Sequence, residues 1–145
     1  MTIDGLDDAE IRAILARVKT FAVVGASQKP ERASYDVMRF LIAKGYTVKP
    51  VNPAIAGKTI HDQSVHATLA DLPPPADVVD IFRNSDAVPA IVREVIAEKG
   101  RLGVSVIWMQ LGVINEDAAA EARAAGLTVV MDRCPKIEFS RLTRP

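Results

Sequence analysis

The chain has 145 residues, 49 % of them hydrophobic, and its 18 Lys and Arg balance 18 Asp and Glu to a formal net charge of zero. That is enough chain for one core without help from metals or disulfides. The balance lacks the basic excess of a general nucleic-acid binder, yet leaves room for a local basic pocket.

A single cysteine, Cys134, excludes an internal disulfide and fits a reducing, cytoplasmic setting. Residues 1–19 begin acidic and lack the basic lead and apolar run of a signal peptide. The most apolar stretch, 104–114, is far short of the ~18 residues a membrane helix needs, and Gln110 interrupts it. Neither a membrane nor a nucleic acid is therefore expected as a partner.

Asp7 followed by Glu10 reads as a capping box and predicts a helix over 8–17. Phe21, Ala22, Val23 and Val24 form a short apolar run ending at Gly25, the pattern of a buried parallel strand. A loop over 26–33 carries Lys29, Pro30 and Arg32. Ser34 is expected to cap the next helix, whose apolar face is Val37, Met38, Leu41 and Ile42, with Gly45 as its stop. The second strand covers 46–51 and is closed by Pro53. Residues 54–75 read as irregular and polar, with a short extended piece near 58–60. A third strand follows at 77–82, then a helix over 88–97 ended by Lys99 and Gly100. The fourth strand spans 104–109. An alanine-rich helix over 115–125 is capped by Asn115 and stopped by Gly126. The fifth strand covers 127–131, and the tail from Pro135 adds a last turn of helix.

Strands alternating with helices predict an α/β fold, a doubly wound parallel sheet of about five strands in three layers. The whole chain, 1–145, reads as a single domain with the helix of residues 1–19 packed on it. In such a sheet ligands sit outside the carboxyl ends of the strands, at the point where strand order reverses. Five segments should converge there: Gly25-Ala26-Ser27, Val51-Asn52-Pro53, Phe82-Arg83, 110–112 and 132–134.

Gly25 lets the backbone turn tightly and approach a phosphate, and the N–H groups of the loop and helix start would face its oxygens. Ser27 and Ser34 add hydroxyls. Lys29 and Arg32 oppose a helix dipole unless an anion is present. The full Gly-x-Gly-x-x-Gly fingerprint is absent, and a plain strand-to-helix turn would use the same small residues. The second strand ends without the acid that a NAD-type site uses on its ribose, and Asn52 is a neutral donor and acceptor. Asn52 and Pro53 also form an ordinary turn pair. Arg83 can pair with phosphate or with Asp80 or Asp86, and Phe82 can cover a base or a pantetheine edge. Trp108 and Met109 read as packing, while Gln110 and Gly112 lie just beyond and can reach a ligand. Arg133 and Lys136 beside Cys134 would favour its thiolate, against the alternative of a buried, inert thiol. His61 and His66 show no zinc spacing with Cys134, and no metal site is expected.

The motifs Val24-Gly25-Ala26-Ser27, Pro50-Val51-Asn52-Pro53, Asp80-Ile81-Phe82-Arg83, Trp108-Met109-Gln110-Leu111-Gly112 and Asp132-Arg133-Cys134-Pro135 resemble the small bacterial and archaeal CoA-binding proteins. That family is similar to the N-terminal domain of the succinyl-CoA synthetase α subunit. The resemblance runs from about Phe21 to Phe139. It implies a Rossmann-like fold with coenzyme A, free or as an acyl-CoA, at the strand ends. Gly25, Ala26, Ser27 and Ser34 would hold the pyrophosphate. Val51, Asn52 and Pro53 would border the nucleotide opposite Phe82 and Arg83, and Gln110 would lie near the pantetheine arm. Ala54 stands where relatives often carry Lys, and His66 where Tyr is common. The synthetase uses a phosphorylated histidine from a second domain, and neither His61 nor His66 carries over to that role.

The resemblance thus implies a stand-alone binding or regulatory module without a catalytic domain of its own. The alternatives are an NAD(P)-binding sensor, or a small oxidoreductase or acyl-transfer enzyme using Cys134. Size alone is compatible with a homodimer.

Overall fold

The computed structural model describes residues 3–143, and the outermost residues of the expected domain lie outside them. Five parallel strands form the main sheet: β1 (Thr20–Val24), β2 (Thr47–Val51), β5 (Val78–Ile81), β6 (Val106–Met109) and β7 (Thr128–Val130). Their order is β2-β1-β5-β6-β7. The chain leaves β1 for the edge at β2, then returns to the other side of β1 at β5, so strand order reverses between β1 and β5.

Alternation along each strand divides the core into two layers. Ala22 and Val24, Val79 and Ile81, and Ile107 and Met109 face α3 (Val88–Leu102) and α4 (Glu116–Ala124). Phe21 and Val23, Val78, Val106 and Trp108 face α1 (Asp8–Arg17), α2 (Ala33–Ala43) and α5 (Pro135–Leu142). Helices on both faces of a parallel sheet give the expected three layers. α1 has the expected capping box, with Asp7 Oδ1 accepting from the Glu10 N–H and Glu10 Oε1 accepting from the Asp7 N–H.

Two local expectations fail and a third is met only in part, each for a physical reason. The helix α3 does not stop at Gly100. It runs to Leu102, and Gly103, at φ +79°, provides the left-handed C-cap with its N–H donating to Lys99 O at 2.8 Å. Burial of Leu102 and hydrogen bonds from the Arg101 guanidinium to the carbonyls of Leu69, Ala70 and Leu72 outweigh the ~1 kcal/mol cost of Gly100 in a helix. Ser34 does not cap α2. Arg32 occupies the N-cap without a side-chain hydrogen bond, and Ser34 lies buried in the first turn.

The third concerns segment 54–75: the extended piece expected near 58–60 is present as β3 (Thr59–Ile60), but it pairs with an unexpected second strand, β4 (Gln63–Ser64), to make a hairpin. Its turn holds His61 and Asp62 at left-handed φ of 49° and 66°. Its far end pairs His66 with Val51, so that the Asn52 N–H reaches His66 O at 2.9 Å and the outer edge of β2 is covered.

Asp80 sits in the middle of β5 between Val23 of β1 and Trp108 of β6, fully buried, with both carboxylate oxygens unpartnered. Burial pushes its pKa well above the usual carboxylate range. The folded state therefore holds this proton more tightly than the unfolded chain. Stability from this group is full below the usual carboxylate range and declines as pH rises above it. Replacing Asp80 with Val should raise stability at pH 8 by roughly 1–3 kcal/mol and flatten its fall between pH 4 and pH 8. Urea unfolding across that range measures both, and an unchanged pH profile would contradict the assignment.

Candidate functional site

Gly25 follows β1 at φ +87°, and a Cβ there would lie 2.8 Å from the Phe82 carbonyl oxygen and 3.0 Å from Arg83 Cδ. Only glycine lets the ends of β1 and β5 close this tightly. The backbone ladder continues past the strands: Gly25 N–H donates to Val51 O at 3.0 Å, and Phe82 N–H donates to Val24 O at 2.8 Å.

The loop after Gly25 is held by short side chains. Ser34 Oγ accepts from the Ser27 N–H at 3.2 Å, and Ser27 Oγ accepts from the Lys29 N–H at 3.1 Å. Asn52 Nδ2 donates to Ala26 O at 2.9 Å, while Asn52 Oδ1 accepts from the Ala54 N–H at 2.9 Å. Asn52 is therefore both the turn-former its sequence context suggests and a clamp between two strand ends.

A cavity of about 360 Å³ opens over this junction. Gly25 and Ser27 line it from the loop, Lys29, Arg32, Ala33 and Ser34 from the approach and first turn of α2, and Asn52 and Phe82 from the ends of β2 and β5. Among the described residues, neither Lys29 nor Arg32 forms an ion pair. Two unpaired cations thus stand at an uncapped helix start. The positive end of the dipole makes that arrangement unfavourable by itself and favourable around an anion, with the first N–H groups as further donors. A phosphate-bearing group fits these residues.

The other expected residues take different places. Ala26 and Val51 are buried beneath the loop and act through their carbonyls. Pro53 is exposed and opens a 3-10 turn, Pro53–Ile55. Arg83 is exposed at the rim, and among the described residues it pairs with neither Asp80 nor Asp86. The Gly112 N–H is already taken by Asp132 Oδ1 at 2.7 Å.

Gln110 does not line this cavity. It lines a second one, also about 360 Å³, with Val37, Leu111, Cys134 and Ile137. Ala33 belongs to both. The five strand-end segments therefore serve two adjoining spaces rather than one. Ala33, Val37 and Ile137 were not expected at the site, and Leu111, inside an expected strand-end segment, had no role of its own. Nothing in sequence says which way a strand-end side chain turns.

The charges beside Cys134 are engaged elsewhere. Arg133 bonds Asp4 through Nε at 2.8 Å and Nη2 at 3.0 Å, and Lys136 Nζ meets Asp36 Oδ2 at 2.5 Å. Cys134 itself is buried. The arrangement is that of a packed thiol rather than one activated by free neighbouring cations. Among the described residues no cluster of three or more His, Cys, Asp or Glu is placed to hold a metal, and no helix is long and apolar enough to cross a membrane.

Residues 19–140 match a family model described as a CoA binding domain. Over 129 residues the chain is 36 % identical to an uncharacterized protein, YneT, of Bacillus subtilis, covering 89 % of this chain and 91 % of that one. A solved structure of a hypothetical protein from Pyrococcus horikoshii superposes with a TM-score of 0.91 at 38 % identity, covering 99 % of this chain and 97 % of that one. The alpha subunit of ADP-forming acetate–CoA ligase I from Pyrococcus furiosus is 36 % identical over 105 residues, which are 68 % of this chain and 22 % of that subunit.

The junction at Gly25 yields a direct expectation. Gly25→Ala should destabilise the fold by roughly 1–3 kcal/mol, from a left-handed backbone and a forced shift of the Phe82 carbonyl. Gly45→Ala carries only the backbone part, because at φ +96° a Cβ there meets nothing within 4 Å. Urea midpoints of the two variants test this, and equal losses would contradict the close approach.

Proposed function

This chain belongs to the CoA-binding domain family, and on that premise we propose that it binds coenzyme A with the pyrophosphate at the start of α2. Its activity is then capture and release of the carrier, as a binding module. One observation carries the reading: two unpaired cations, Lys29 and Arg32, beside an uncapped helix start in a cavity framed by the Gly25 turn.

In this reading the backbone of Gly25 and Ala26 approaches the phosphates, and the hydroxyls of Ser27 and Ser34 add donors. Lys29 and Arg32 supply charge. Val51, Asn52 and Pro53 border the nucleotide without the acid that would repel a 3′-phosphate. Phe82 offers a half-buried ring for the adenine, Arg83 a cation at the rim, and Gln110 an amide toward the pantetheine arm. The absence of an acid after β2 also disfavours NAD, whose ribose such a group would hold.

Isothermal titration calorimetry with coenzyme A, its 3′-dephospho form and NADH tests the proposal. Coenzyme A should bind with a Kd of about micromolar order, and the dephospho form more weakly. Arg32→Ala and Lys29→Ala should each weaken binding roughly tenfold, more at low salt than at high. Binding of NADH alongside silence toward coenzyme A would overturn the reading.

A further inference from the structure

We propose that the second cavity holds the acyl group of a CoA thioester, so that the ligand is an acyl-CoA with a short apolar acyl chain rather than the free thiol. The inference rests on the nucleotide reading above and adds the identity of the group at the other end of the ligand.

The first observation is continuity. The two cavities meet across Ala33, in the first turn of α2. A flexible arm anchored by phosphates in the first cavity can pass Ala33 into the second.

The second is the character of the wall. Leu111 and Ile137 are 53 % and 51 % exposed, and they make up two of the four large hydrophobic side chains left exposed among the described residues. Both flank this one cavity, with Val37 behind them and the buried Cys134 sulfur contributing soft apolar surface. Two such side chains facing one concavity hold an apolar group better than water.

The third is polar. Gln110 is 6 % exposed, and its Oε1 is buried with no hydrogen-bond partner. Its amide lies in the wall of a largely apolar space whose other polar lining is the Asp36 and Lys136 pair, and the unpartnered Oε1 can accept from the last amide N–H of the arm. The two charged residues in the lining, Asp36 and Lys136, do not invite an acidic acyl group. Lys136 is bound to Asp36, and Asp36 also accepts from Arg39. A carboxylate on the acyl chain would have to displace Asp36 from Lys136, whereas an alkyl chain leaves that pair intact.

The test is calorimetry with coenzyme A, acetyl-, butyryl- and succinyl-CoA on the wild type and on a Leu111→Ser, Ile137→Ser double variant. The affinity should rise from coenzyme A to butyryl-CoA by roughly fourfold for each methylene buried, and succinyl-CoA should gain nothing over coenzyme A. In the double variant the ratio between butyryl-CoA and coenzyme A should fall toward one. Both side chains are half exposed, so the fold should survive, and circular dichroism checks that it has. Equal affinity for coenzyme A and all three thioesters in the wild type, or tighter binding of succinyl-CoA than of butyryl-CoA, would overturn the acyl assignment while leaving the nucleotide reading in place. Silence toward all four would overturn both.

Discussion

At the end of β1 the backbone of Gly25 comes so near the Phe82 carbonyl that a single added carbon would sit 2.8 Å from its oxygen. This approach joins the two strands between which the sheet reverses its order. It fixes the direction in which the chain leaves β1, and with it the position of the α2 N-terminus. Asn52 then ties β2 to the same loop through the Ala26 carbonyl. Three strand ends and one helix start are held by a few backbone contacts, and the cavity is the space they leave. Lys29 and Arg32 are arranged around that space and form no ion pair among the described residues. The fold thus puts positive charge where a parallel sheet offers its crevice.

The strands and most of the helices were legible because their signals are local. Uninterrupted apolar runs such as Phe21 to Val24 and Val106 to Met109 mark buried parallel strands. Asp7 with Glu10, and Asn115 before an alanine-rich stretch, mark helix starts, and Asn115 Oδ1 does accept from the Ala118 N–H. What the sequence concealed depended on partners distant in the chain. Gly100 looks like a stop until Arg101 is seen gripping the carbonyls of Leu69, Ala70 and Leu72. The extended piece near 58–60 was expected, but its partner strand at Gln63 is too short to show a period, and the turn between them uses His61 and Asp62 instead of glycine.

The candidate site was legible to a similar depth. The glycine turn, Ser27, Lys29, Arg32, Ser34, Asn52 and Phe82 were expected together, and they line one cavity. Gln110 was expected among them and lies instead in the adjoining space. Residues one position apart at a strand end can face opposite ways, and only the packing of α2 and α5 decides which. The charges near Cys134 show the same limit. Sequence adjacency suggested that Arg133 and Lys136 act on the thiol, whereas the folded chain aims them at Asp4 and Asp36.

The most direct test of the central claim is a titration of the isotopically labelled protein with coenzyme A, followed through its backbone amide resonances. The account predicts that the largest shifts fall on Gly25, Ser27, Ala33 and Ser34, the amides around the α2 start. Smaller shifts are expected near Asn52 and Phe82, and little change in α3 and α4 on the opposite face of the sheet. Shifts concentrated on α3 and α4, with the Gly25 loop unmoved, would contradict it.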